Sequence, residues 1–314
     1  MATSLERSPP GGLGRLALIA VAFGLLAPAP LFALPLAALL VFSRKETRAE
    51  VVTAGLAGGL SLWWLLLPGN LPDQVLRTGL LFSTATFVAA SHYTRASFTH
   101  RALLALGVAV LGIVALFAVF GWSWRELHWW VQYQRGYESR LALAPLRARA
   151  GGSEVADALA DVLDRSVAFE ANNYPALVGL KIMAGLALAT AWYHRLTSHP
   201  WGVPLGRLRD FRFSERLGWA AAVPLMIVLL PHLAAAKVAA TNLLLLVGAL
   251  YALRGIGVAA FGASLAGTGP VATALMLAAT LLMLPVVLGG AILLGVLDAG
   301  VDLRRRWAKP PVRN

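Results

Sequence analysis

From Ala102 to Trp122 the chain runs 21 residues without a charged side chain. As an α-helix this run is about 32 Å long, close to the roughly 30 Å of a bilayer's hydrocarbon core. It has company. Apolar stretches recur at Leu16–Phe42, Val51–Leu67, Arg77–Ala90, Tyr174–Tyr193, Leu217–Leu230, Val238–Leu265 and Pro270–Leu297. Only 13% of residues are charged, against roughly a quarter in a soluble domain, and they cluster between these stretches. Lipid offers backbone groups no water, so each span must satisfy its own hydrogen bonds. The expected fold is therefore all-α, a polytopic transmembrane helical bundle with about eight or nine membrane-embedded segments. The short alternating segments of a membrane barrel do not occur.

Several segments depart from a plain apolar span. "APAP" at 27–30 cuts the first stretch, and Pro28 and Pro30 break a helix there. Each half is about 13 residues, short of a span, so the stretch reads as a broken span or a hairpin. "GWSWRELHWW" places Trp122, Trp124, Trp129 and Trp130 at the end of the clearest span, as at a headgroup layer. Residues 123–173 carry charges of both signs in near balance. Ser153 reads as an N-cap, and Val155, Leu159, Val162 and Val167 recur at helical spacing. The segment is expected to be two amphipathic helices broken at "ARAGGS", forming an extramembrane or interfacial cap on a single membrane domain of residues 1–314. The Gly-rich 255–270 reads as a continuation of the preceding span or as a re-entrant turn. The N-terminus reads as a retained cytoplasmic tail, and both termini are expected inside.

The net charge is +12. In a membrane chain this fits Lys and Arg in short cytoplasmic loops facing anionic lipid, so membrane lipid is the expected partner and nucleic acid is not. The most basic loop carries Arg195, Arg207, Arg209, Arg212 and Arg216 and is expected in the cytoplasm. No cysteine is present, which excludes disulfide and thiolate chemistry. The chain has no phosphate-binding glycine loop followed by Lys-Ser/Thr, no HExxH and no GxSxG. It is expected to be no enzyme, to bind no metal and to need no cofactor.

The candidate ligand-binding residues are those expensive to place in a membrane. Arg254 interrupts the run Val238–Leu265. Near a midplane an arginine costs about 2.5 kcal/mol or more, and it must face a cavity, a carboxylate or backbone carbonyls. If the span ends at Leu253, Arg254 marks a membrane edge instead. Neighbouring Gly255, Gly257 and Gly262 would admit a close helix or ligand. Lys181 lies early in its span and either snorkels to the interface or faces a cavity. Glu170, Asn172 and Asn173 cluster just before that span, either as caps or as a lid over a polar solute. Asn242 reads first as a cap of its own helix and second as a bond across the bundle. Asp298 and Asp302 stand before Arg304–Arg306, with Asp302 placed to pair along the helix.

"FRFSERLGWAAAVPLM", "TNLLLLVGALYALRGIGVAAF", "LLGVLDAGVDLRRR" and the proline-broken opening together resemble the YybS-like family of uncharacterised bacterial integral membrane proteins. That family is similar in pattern to the substrate-binding S components of energy-coupling-factor transporters. The long charged segment 123–173 and the arginine at 254 depart from the pattern. The resemblance implies a multi-pass protein of the bacterial cytoplasmic (inner) membrane that binds or helps to move a small-molecule solute. It further implies no ATPase of its own and a coupling membrane partner with ATPases. Trp122, Trp124, Trp129 and Trp130 would then join Glu170, Asn172 and Asn173 around an outer pocket. The alternative is a structural or scaffolding protein of envelope assembly that docks through the cap. A lipid-handling enzyme, with Arg254 and Lys181 clamping a phosphate, is a third possibility.

Overall fold

A computed structural model describes residues 29–44, 46–150, 154–214, 219–267, 269 and 283–307. The first half of the opening stretch, Ser153, the end of the glycine-rich segment and both termini lie outside the described residues. Among the described residues the regular structure is helical throughout. The helices are α1 Pro30–Phe42, α2 Arg48–Leu66, α3 Leu71–Tyr93, α4 Phe98–Phe120, α5 Trp124–Ala150 and α6 Glu154–Asn172, then α7 Tyr174–Leu196, α8 Ala222–Leu229, α9 Lys237–Leu265, α10 Leu284–Val301 and α11 Leu303–Trp307. Four of them, α2, α4, α7 and α9, are long and apolar enough to cross a membrane, and α1 and residues 285–301 are shorter apolar helices. The fold is all-α, as the apolar runs require.

The chain divides into two compact units, and α7 contributes to both. The first holds residues up to Trp122 with Lys181–Pro204. Here α1 packs against α2 and α3, and α3 packs against α4. Pro30 opens α1 at the position where a missing N–H costs nothing. Helix α1 is buried on nearly every side, with Leu31, Leu36, Leu39 and Leu40 in the core. Gly185 of α7 touches the Leu31 carbonyl so closely that any Cβ would overlap it.

Local chemistry sets the helix ends. Thr47 and Glu50 form a reciprocal capping box at the start of α2, and Asn70 and Asp73 form another at α3. Arg77 reads in sequence as the start of a span. It lies instead inside α3, donates to the Leu65 and Leu67 carbonyls, and so closes the end of α2. Outside the helices, the Ser198 hydroxyl donates to Glu46 at 2.6 Å, and this bond holds the Glu46 carboxyl below its usual range. Helix α4 turns an apolar face outward, with Leu111 68% and Val119 78% exposed, as a lipid-facing surface does. Arg101 reads as a loop residue. The structure buries it at the first turn of α4, where it donates to Ser91 and the Val203 carbonyl and lies over the Phe87 ring.

The second unit holds residues 123–180 and 205–314. Helices α5 and α6 pack together, and the Arg135 guanidinium of α5 meets Glu170 of α6 at 3.1 Å. Two helices broken near 150 match the amphipathic reading, and most of the large apolar residues of the second face outward. Ala156 and Ala171 face inward, while Val155, Val162 and Phe169 are 77%, 57% and 50% exposed. The deepest packing in this unit is between α9 and α10. Helix α9 runs unbroken through "GIGV" to Leu265, which corrects the re-entrant alternative over residues 255–265.

Candidate functional site: a buried arginine–aspartate network beside a basic cleft

Arg254 stands well inside α9, eleven residues before its last, and is 5% exposed. Its Nε donates to Asp298 Oδ2 at 2.8 Å and its Nη2 to the Asp298 carbonyl at 2.9 Å. The guanidinium also lies 5.5 Å from the centre of the Phe213 ring. Asp298 is fully buried on α10. Arg304 donates to the same carboxylate oxygen through Nη2 at 2.7 Å. Arg304 also donates to the carbonyls of Arg209 and Phe211 at 2.8 and 3.0 Å. One buried carboxylate thus sits between two buried guanidiniums.

The sequence "DAGVDLRRR" folds this way because of Asp302. Asp302 caps α10 in the left-handed region, at φ 48° and ψ 62°. Aspartate is among the few residues other than glycine that accept this conformation. The turn restarts the chain as α11 and returns Arg304 to Asp298 six residues back. Along-helix pairing is the expectation for the Asp302 side chain. Its ion-pair partner is instead Arg212, through two bonds of 2.8 and 3.3 Å, while Arg305 meets it only through its backbone N–H. This fork ties loop 205–214 to the α10–α11 turn. Gly257 admits the Leu208 carbonyl to the surface of α9, and Gly255 admits the Ala291 carbonyl of α10. The close neighbours of these two glycines are protein backbone.

Loop, turn and helix line an open cleft of about 370 Å³. Its walls are Arg209, Asp210, Arg212, Asp302, Arg304 and Arg305, with Phe261 as the apolar side. Arg304 therefore belongs both to the buried network and to the cleft.

The other candidates fall elsewhere. Glu170, Asn172 and Asn173 come together at the break between α6 and α7. Glu170 pairs with Arg135, Asn172 Oδ1 contacts His128 Nε2 at 3.1 Å, and Asn173 donates to the Phe169 carbonyl. The Asn173 Oδ1 is buried without a hydrogen-bond partner among the described residues. Asn242 is the residue that joins this place together. Its Oδ1 accepts from the Ala176 N–H at 2.9 Å, and its Nδ2 donates to the Asn172 carbonyl at 2.9 Å. It closes the last turn of α6 and the first turn of α7 from a third helix. The bond across the bundle, the second of its two sequence readings, is the one that forms. Twelve residues of α9, about 18 Å of rise, separate Asn242 from Arg254, so the candidates make two places and not one. Trp124 and Trp129 are exposed on α5, where Trp129 stacks on Tyr133 at 5.3 Å. Lys181 is half-buried on α7, in the first compact unit, whereas Arg254 is in the second.

Asn242→Leu leaves a buried N–H and a part-buried carbonyl unpaired, and is expected to cost about 2–4 kcal/mol. Asn242→Asp keeps the acceptor and loses the donor, and should recover part of that loss. Thermal unfolding of the purified variants in detergent checks the order. Equal melting of all three chains would show that the bridge contributes nothing.

A family described as "Predicted membrane protein (DUF2232)" matches residues 15–299. No curated protein and no solved structure matches the chain.

Proposed function

The chain belongs to the DUF2232 family of predicted membrane proteins, and from that premise we propose that it binds a small solute in the manner of a transporter S component. It would sit in a bacterial cytoplasmic membrane and hand its solute to a separate membrane partner driven by ATPases. It would have no ATPase and no enzymatic activity of its own, a reading that rests on the absence of nucleotide-loop and hydrolase motifs from the sequence.

One observation carries the proposal. A cleft of about 370 Å³ opens beside a buried, fully oriented ion network. Small-molecule sites have volumes of roughly 300–1,000 Å³ and use a few well-placed polar groups to fix their ligand. A protein that only filled membrane would gain more from apolar packing at Arg254, Asp298 and Arg304 than from burying three charges there. The Glu170–Asn172–Asn173 cluster is largely saturated by its own contacts, so it supports the site less than the cleft does.

A scaffolding role has its own observation. Val155, Leu159, Val162 and Phe169 lie on one exposed face of α6, and such a face suits docking.

Purification in a mild detergent, followed by mass spectrometry of co-purifying proteins and small molecules, separates the two. The proposal expects an ATPase pair with its membrane partner, or a bound solute. Envelope-assembly proteins alone, lost on Val155→Glu with Val162→Glu, would overturn it in favour of the scaffold.

A further inference from the structure

The buried network does not balance. Arg254 and Arg304 are 5% and 4% exposed, and Asp298 is the one carboxylate they reach among the described residues. Two guanidiniums against one carboxylate leave one positive charge in a site poor in water. Backbone carbonyls of Asp298, Arg209 and Phe211 accept hydrogen bonds there, but a dipole does not cancel a charge. Buried charge without a counter-charge is unfavourable. The Nε of Arg304 is also buried without a hydrogen-bond partner among the described residues.

The cleft repeats the imbalance. Four arginines and two aspartates line it; with Arg304 already counted in the network, its walls add one more positive charge. Arg212 is engaged with Asp302. Among the described residues Arg209 has only the adjacent Asp210, at 3.9 Å. Arg305 makes no ion pair among the described residues, and its side chain is exposed at the rim. An anion in the cleft would answer the excess charge of the network and of the walls together.

We propose that this cleft binds a phosphate-bearing anion, with Arg304 as the fixed donor and Arg209 and Arg305 as the mobile clamp. This rests on the solute-binding reading of the same cleft and names its ligand class. The guanidinium fork matches two oxygens of a phosphate at once, and the Arg209 and Arg305 forks, with the one remaining Arg304 donor nitrogen, Nε, suit a tetrahedral oxyanion better than a single carboxylate. Phe261 is the one wall for an apolar or ring substituent. A lipid headgroup and a free phosphorylated solute share this chemistry.

The test uses the full chain in nanodiscs, with inorganic phosphate as the probe at ionic strength held constant with chloride. In neutral phosphatidylcholine, phosphate should raise the melting temperature of the wild type. Arg209→Gln with Arg305→Gln should need at least tenfold more phosphate for the same rise. Arg305→Gln alone, at an exposed position, keeps the test available if the double variant folds poorly. Arg306→Gln, outside the cleft, should respond as the wild type does. If phosphatidylglycerol nanodiscs raise the melting temperature and phosphate then adds nothing, the same site is filled by a lipid headgroup. If neither probe stabilises the wild type beyond chloride, or if the cleft variants respond like the wild type, the anion site is wrong. That failure is separate from failure of the transport reading. An ATPase partner without a phosphate response ends the anion site alone, and a phosphate response without an ATPase partner or solute ends the transport role alone.

Discussion

Asp298→Asn lowers the stability of the folded chain by about 3–5 kcal/mol, the cost of breaking a buried charge pair from one side. The reason lies in the count of charges. Asp298 is fully buried and accepts from both Arg254 and Arg304. Its neutral isostere leaves two buried guanidiniums with no carboxylate between them. Arg254→Met is expected to cost less, because Arg304 and Asp298 then form a balanced one-to-one pair. Combining Asp298→Asn with Arg254→Met should therefore cost less than the sum of the two, and the double-mutant cycle measures their coupling directly. Denaturant or thermal unfolding in detergent gives all three values. A loss below about 1 kcal/mol for Asp298→Asn would put the pair in the range of exposed salt bridges and remove the network from consideration as a site.

The pairing of Arg254 with Asp298 also shows where sequence reading stops. An arginine inside an apolar run demands a partner, and that demand is legible. The partner is not, because it lies 44 residues away on another helix. Finding it requires knowing that α9 and α10 cross at Gly255. The second arginine depends on one left-handed residue, Asp302, which bends the chain so that Arg304 returns. Charge clusters show that arginines are present without showing which is buried, and so Arg101 and Arg304 pass as loop and tail residues. Other features were within reach. "TRAE" and "NLPD" have capping-box spacing, and both boxes form. The existence of the apolar helices follows from the apolar runs alone, and that of α5 and α6 from helical spacing in a charged segment. On α6 the periodicity marks a stripe correctly, but periodicity cannot say whether a stripe faces the neighbouring helix or the outside, and here Val155 and Val162 face outside.

Gly255→Leu and Gly295→Leu should be as damaging as the loss of Asp298, for a reason that concerns helix approach. A Cβ at Gly255 would overlap the Ala291 carbonyl, and a Cβ at Gly295 would overlap the Tyr251 carbonyl. Each contact is thus glycine against the opposing backbone, one turn apart on both helices. Ala291 and Gly295 are spaced as a small-xxx-small pair. Within lipid there is little hydrophobic drive to press two apolar helices together, so close van der Waals packing does that work. A leucine forces the backbones apart, and overpacking of this kind costs about 1–3 kcal/mol or more. The displacement does not stay local. Gly255 adjoins Arg254, and Gly295 lies one turn before Asp298, so separation of the helices also stretches the Nε–Oδ2 contact of 2.8 Å. Part of the roughly 3–5 kcal/mol expected for the ion network is then lost as well. Gly290 is the control on the same helix, because a Cβ there meets nothing within 4 Å. Gly290→Ala should leave stability unchanged or raise it by up to about 1 kcal/mol through helix propensity. Melting temperatures of the three variants, with phosphate titrated as a second readout, check the argument. If Gly255→Leu melts with the wild type, α9 and α10 do not meet at this glycine. If it melts early yet keeps the wild-type phosphate response, the helix contact and the cleft are independent of each other.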